Sequence, residues 1–240
     1  MKDPAERLMV ALDLPTADEA LRMVDSLGNI VRWFKVGSQL FTACGPDIVI
    51  KIKGMGFKVF LDLKFHDIPT TVSLAGVSAA KLGVDMFNVH SMGGTRMMSK
   101  TVSGVSDFCA DKGLKRPIII AVTALTSMTG PDLNEIGIGG QAADAVKNLA
   151  GLAKNSGLDG VVASPEEVAM IKDACGEGFV VVTPGVRPVW AERDDQARAQ
   201  TPFGAIRNGS DYLVVGRPIL KAQHPADAAQ RTLDEIAAAL

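Results

Sequence analysis

Eight short apolar runs recur along the chain, each separated from the next by a stretch of helical composition, and that alternation limits the folds open to it. The runs are Leu8–Leu12, Trp33–Val36, Val59–Leu63, Met86–Val89, Ile118–Val122, Gly160–Ala163, Val180–Thr183 and Tyr212–Val215. They are rich in Val, Ile, Leu and Phe and do not alternate cleanly with polar residues, the pattern of parallel strands buried on both faces. Between them, Thr16 offers a cap ahead of Asp18 and Glu19, and an apolar stripe runs on to Leu27. Pro46, Pro69 and Pro165 stand where helices can begin, the last behind Ser164 as a cap. Ala142–Ser156 and Asp227–Leu240 are helix formers by composition. Eight strand–helix alternations predict an α/β fold, a (β/α)8 TIM barrel, with an open doubly wound sheet as the alternative. No linker divides residues 1–240, and 240 residues suit one barrel better than two small domains.

Composition excludes several classes of function. Net charge is −2 and the basic residues are scattered, so no stripe is offered to nucleic acid or to a membrane surface. Cys44, Cys109 and Cys175 form no CxxC pair and read as reduced thiols of a cytosolic protein. The polar start, Met1 to Arg7, lacks the apolar run of a signal peptide, and no stretch reaches the ~18 apolar residues of a membrane span. A cytoplasmic location is expected.

Catalytic groups of such barrels lie at the C-terminal ends of strands and in the loops that follow. Those positions hold Asp13, Lys35, Asp62, Lys64, Asp67, His90, Thr126, Ser127, Arg187, Gly216 and Arg217. In Leu61-Asp62-Leu63-Lys64, side chains two apart share a face, so Asp62 and Lys64 point inward while Leu61 and Leu63 pack outward. Asp67 lies beyond the strand, free to turn back to its own site or to reach another subunit. Lys35 and Asp13 extend the array, which is costly to desolvate and gains little for stability alone. Flanking carboxylates are expected to hold Lys64 as an ammonium. The rival reading is a set of barrel-mouth salt bridges that only satisfy one another.

A second group closes the chain. Gly216-Arg217-Pro218 follows the eighth run, where barrels of this kind often bind phosphate: glycine lets the backbone approach an anion and the guanidinium grips it in two-pronged fashion. Arg187 and Gln196 sit on the preceding long loop, Pro184–Pro202. Thr126–Gln141 is the other long loop expected at this face. His66 and His224 read as structural, since no metal-ligand spacing links the histidines, and His90 as packing beneath the site. Met92, Met97 and Met98 read as core filler and Glu192–Arg198 as a solvated loop face apart from Gln196.

Four segments together carry a resemblance. Asp62-Leu63-Lys64-Phe65-His66-Asp67-Ile68-Pro69, Ala121-Val122-Thr123-Ala124-Leu125-Thr126-Ser127, Thr183-Pro184-Gly185-Val186-Arg187-Pro188 and Val215-Gly216-Arg217-Pro218 resemble the orotidine 5′-monophosphate decarboxylase family in its bacterial form. The likeness runs from Asp13 to Arg217, with the motifs in the family's order. One departure is Thr70, where many relatives carry Asn. The resemblance implies decarboxylation of orotidine 5′-monophosphate to uridine 5′-monophosphate in pyrimidine biosynthesis, with no metal and no cofactor. It implies that Asp13 and Lys35 hold the ribose hydroxyls, that Asp62 faces the substrate carboxylate and that Lys64 donates the proton. Thr126 and Ser127 would lie over the pyrimidine, and Arg187, Gln196, Gly216 and Arg217 would bind phosphate, with Pro184–Pro202 closing as a lid. Asp67 and Thr71 would serve the partner subunit's site in a homodimer. The rivals are a magnesium-dependent decarboxylase or aldolase of keto-sugar phosphates on the same scaffold, and a non-catalytic nucleotide-binding module. The Phe65–Pro69 continuation and Leu125-Thr126-Ser127 argue against the first, and the Lys64 array against the second.

Overall fold

The computed structural model describes residues 3–191 and 200–240. Eight parallel strands close on themselves in chain order, each hydrogen-bonded to the next and the last to the first. They are β1 (Leu8–Ala11), β2 (Trp33–Gly37), β3 (Lys58–Phe65), β4 (Met86–His90), β5 (Ile118–Val122), β6 (Gly160–Val162), β7 (Val180–Thr183) and β8 (Tyr212–Val215). Closure excludes the open doubly wound sheet. The chain is a single-domain (β/α)8 barrel.

The alternation of side chains along each strand divides the apolar residues into two clusters. Val10, Phe34, Val59, Leu61, Phe87, Ile119, Ala121, Val161, Val181 and Leu213 face outward and are buried beneath the surrounding helices. Met9, Ala11, Trp33, Phe60, Met86, Ile120, Val122, Val162, Val182 and Val214 face inward and fill the lower barrel. At Gly160 in β6, a Cβ would lie 2.1 Å from the Val180 carbonyl oxygen, so only glycine fits there. Of the methionines, Met97 and Met98 are buried and Met92 packs against the outer cluster, as core filler should.

Helix starts follow capping chemistry. Thr16 caps Ala17–Leu27 by accepting the Glu19 N–H, and Pro69 occupies the first turn of Pro69–Lys81, where its missing N–H costs nothing. Pro165 starts no helix: residues 165–167 form a turn and the helix is Val168–Cys175. The reason is local: Glu167 Oε2 reaches back to the Ser164 N–H at 2.9 Å, while the Ser164 hydroxyl, buried, has no hydrogen-bond partner. The segment 126–141 is not all loop, because Thr129 and Asp132 make a capping box that opens a short helix, Gly130–Glu135. The last helix, Pro225–Ala237, begins two residues before Asp227, and the exposed His224 marks its start.

Candidate active site

The upper rim of the barrel gathers charge where the lower barrel is apolar. β2 contributes Lys35 and β3 contributes Asp62 and Lys64, while Asp13 stands just past the end of β1. Lys35 Nζ lies 3.1 Å from Asp62 Oδ2 and 3.3 Å from Asp13 Oδ1, and Lys64 Nζ lies 2.7 Å from Asp62 Oδ1. The four side chains form one chain of alternating sign, Asp13–Lys35–Asp62–Lys64. Gly37 leaves it room, since a Cβ there would sit 2.8 Å from Lys35 Nζ.

Strand β3 does not reach Lys64 by simple alternation. Phe60 and Leu61 pair with Met86 and Phe87, but Phe65 pairs with Val89, so β3 spends four steps where β4 spends two. The two extra residues form a bulge. Lys64 lies in it with φ 54°, the sole positive φ of a non-glycine residue among the described residues. A side chain held there costs on the order of 1–3 kcal/mol and persists only where the surroundings impose it. Here they include Asn88 of β4, which is fully buried. Its Oδ1 accepts the Lys64 backbone N–H at 2.8 Å and its Nδ2 donates to Asp62 Oδ1 at 2.7 Å. Asn88 was missed by motif reading. Its signal is a lone amide at an inward position of the apolar run Met86–Val89.

Burial shapes the charges but does not quench them. For Asp62, burial works to raise the carboxyl pKa, yet the Lys35 and Lys64 charges and the hydrogen bonds from Lys64 and Asn88 outweigh it and hold the group below the usual carboxylate range. For Lys35, burial works downward, and the charges of Asp62 and Asp13 overcome it, leaving the amine above its ordinary value. His90, at the end of β4, stacks on His66 with ring centroids 5.5 Å apart. Burial first, then the His66 and Lys64 charges, push the His90 pKa down, and its buried Nδ1 has no hydrogen-bond partner. It packs beside the array as a neutral ring.

The array borders a cavity of about 290 Å³. Asp13, Lys35, Asp62, Lys64 and Thr126 line it together with Arg187, Gly216 and Arg217, and Ala11, Phe60, Val162, Val182 and Val214 form its apolar wall. In the closed strand order, β3 and β7 stand four strands apart, so Lys64 and Arg187 enter from opposite sides. The loop that carries Arg187 is tied across its base: Val186 bridges Gln200, and the Arg187 N–H donates to the Gln200 carbonyl at 2.8 Å. Gln196 lies outside the described residues. Ser127, Asp67 and Thr71 are exposed and do not line the cavity. Asp67 instead accepts the N–H of Ile68 beside the start of the helix Pro69–Lys81. Of the two carboxylates expected to flank Lys64, the chain itself supplies Asp62. Among the described residues, no three His, Cys, Asp or Glu side chains gather as metal ligands would.

A closed parallel barrel with an inward Asp–Lys array facing an arginine-lined wall defines a class: a barrel enzyme with a charged reaction centre and a separate region suited to an anion. Residues 6–232 match the family model described as orotidine 5′-phosphate decarboxylase / HUMPS family, and the chain belongs to that family. It is 51% identical over 98% of its length to an orotidine 5′-phosphate decarboxylase of Syntrophotalea carbinolica, 96% of which is covered. It is 50% identical to one from Geobacter sulfurreducens, with 97% of each chain covered. The crystal structure of orotidine 5′-phosphate decarboxylase from Lactobacillus acidophilus superposes with TM-score 0.85 at 38% identity, over 96% of this chain and 99% of that one. The chain is accordingly a decarboxylase, a carbon–carbon lyase.

Proposed function

We propose that the chain converts orotidine 5′-monophosphate into uridine 5′-monophosphate and CO2 in pyrimidine biosynthesis, with Lys64 as the proton donor and no metal taking part. The observation that carries this reading is Lys64 Nζ held 2.7 Å from Asp62 at the edge of a nucleotide-sized hollow. Breaking the bond between C6 and the carboxylate leaves an electron pair in the ring plane, with no conjugated sink for it. A fixed ammonium in a water-poor site lowers the energy of that carbanion and needs no reorganisation to do so. The pair then takes a proton from Lys64, which becomes an amine as the C6–H bond forms.

The other roles in this reading are those that the family resemblance implies. Asp62 meets the departing carboxylate, and Asp13 with Lys35 takes the ribose hydroxyls. Thr126 and Ser127 lie over the pyrimidine. Arg187, Gly216 and Arg217 take the phosphate with Gln196, and that remote binding energy organises the charges around C6. The working unit is a cytoplasmic homodimer in which Asp67 and Thr71 complete the partner's site. Their exposure beside Ile68 and Leu74, 67% and 61% exposed, supports this.

The test follows the ultraviolet absorbance of orotidine 5′-monophosphate with the enzyme and a chelator. Absorbance should fall at the same rate with and without chelator. Lys64→Ala should lose about 10³-fold or more in kcat while binding uridine 5′-monophosphate nearly as before. A chelator-sensitive rate removes the metal-free mechanism. Near-normal turnover by Lys64→Ala removes the proton donor, and no reaction at all removes the substrate.

A further inference from the structure

We propose that Asn88 is a positioning residue for this reaction: its amide holds Lys64 in a left-handed backbone conformation and Asp62 in one orientation, and so places the amine. The inference rests on the assignment of Lys64 to the reacting carbon, and it concerns a residue that acts through its neighbours and not on the substrate. Asn88 does not line the cavity and is wholly buried.

Three observations converge on it. The bulge in β3 lies opposite Asn88, between the Leu61–Phe87 and Phe65–Val89 pairs. Lys64, inside that bulge, has φ 54°, a region that L residues seldom occupy and that favours glycine or a residue held by its neighbours. Its backbone N–H, which the bulge takes out of the regular ladder, finds its acceptor in Asn88 Oδ1 at 2.8 Å. The third observation is at Asp62, whose carboxylate is held at both oxygens. Oδ1 receives the Asn88 amide and the Lys64 amine, each at 2.7 Å, and Oδ2 faces the Lys35 amine at 3.1 Å.

The amide works in one orientation. Turned over, it would set an NH2 group against the Lys64 N–H and an oxygen against the Asp62 carboxylate, so both contacts would become repulsive. One side chain therefore reads the backbone of the proton donor and the carboxylate of its partner together. A hydrocarbon of similar size would fill the same space and do neither. An error of about 1 Å at a reacting group can cost on the order of 100-fold in rate, so this bracing has a kinetic consequence.

Two variants and one structure test it. Asn88→Leu keeps the bulk and removes both hydrogen bonds, and should lose about 100-fold in kcat while its affinity for uridine 5′-monophosphate changes by less than about threefold. Asn88→Asp keeps the acceptor for the Lys64 N–H, but its ionised carboxyl faces Asp62 with like charge. In its acid form the O–H would donate to Asp62 and the carbonyl would still accept from Lys64, reproducing the amide. The charged groups around that site are Asp62 and Lys64 of β3 and Lys35 of β2, and the titratable His90 lies two residues beyond Asn88 on β4. The kcat of Asn88→Asp, relative to wild type, should rise as pH falls from about 8 to about 5. A role in packing alone predicts a tolerated leucine, or equal losses in kcat and nucleotide affinity with no recovery in acid, and either result overturns the proposal. A crystal structure of Asn88→Leu reads the same question without turnover. Lys64 out of the left-handed region with its amine displaced from Asp62 supports the proposal, and an unchanged φ and ion pair refute it. Because that readout needs no activity, its failure is distinct from failure of the substrate assignment.

Discussion

At the scale of single residues, the array Asp13–Lys35–Asp62–Lys64 carries its charges over a wide pH range, because opposite neighbours oppose the effect of burial. Asp62 is held below the usual carboxylate range and Lys35 above the usual amine range. The two shifts set opposite limits. The contribution of Asp62 to stability is present above the unfolded carboxyl pKa of about 3.9 and fades as pH falls through the lower folded value. For Lys35, the folded chain keeps a proton that the unfolded chain releases near pH 10.4, so its contribution is complete below that pH and declines above it. The difference in unfolding free energy between wild type and Lys35→Met should therefore be constant from about pH 6 to about pH 9. It should fall only above about pH 10.4, as urea titrations across that range would show. A decline between pH 7 and pH 9 would mean that Asp62 and Asp13 do not hold the amine charged.

At the scale of the strand, the opposite face of the barrel repeats one device three times. Asp85, Asp159 and Asp211 each stand immediately before an even-numbered strand, β4, β6 and β8. Their carboxylates accept the N–H of Val59, Ile119 and Val181 in the preceding strands at 2.9, 2.7 and 2.9 Å. Each also takes a cation: Lys53 at 2.6 Å, Arg116 at 2.7 Å and Lys172 at 2.6 Å. The clasp ties the start of one strand to the strand before it, on the face where barrels place stability and not chemistry. Asp159→Ala leaves the buried Ile119 N–H without its carboxylate and should cost about 1–3 kcal/mol, with kcat per folded molecule unchanged. Asp111→Ala, which removes an exposed pair with Lys112, should shift stability by less than about 0.5 kcal/mol in the same denaturation series. Both the clasp and Asn88 show where sequence reading stops. All eight strands are legible, because apolar runs of that length must be buried on both faces. Parity along β3 also predicts Asp62 and Lys64 inward, and both line the cavity, although Lys64 gets there through the bulge and not by alternation. The bulge is not legible from β3 alone, since it exists only against the shorter count in β4, and the helix start behind Ser164 fails because Glu167 makes a turn there instead.

At the scale of the whole molecule, one barrel supplies a cavity and a set of residues that do not belong to that cavity. Asp67 and Thr71 are exposed on the side of the helix Pro69–Lys81 that also presents Leu74 and Ser78, with Ile68 exposed at its start. Thr71, Leu74 and Ser78 are spaced three and four apart, so they form one stripe along the helix. Apolar side chains exposed on such a stripe, beside a carboxylate and a hydroxyl, suit contact with a second copy of the chain about a twofold axis. The motif that begins with Asp62 would then serve two sites: Asp62 and Lys64 inward, Asp67 and Thr71 outward. This division has a test that no single-chain site can pass. Asp67→Ala and Lys64→Ala chains should each show little activity alone. In a heterodimer of the two, one site pairs the intact Lys64 of the first chain with the intact Asp67 of the second, and the other site lacks both. If subunits exchange at random, half the dimers are mixed and half of their sites are complete, so an equal mixture should recover about a quarter of wild-type activity. Asp62→Asn mixed with Lys64→Ala should recover nothing, because those two residues lie in the same half-site. No recovery in the first mixture, once exchange has been verified by mass, would place Asp67 in its own chain's site, and recovery in the second would mean that Asp62 and Lys64 do not share one half-site.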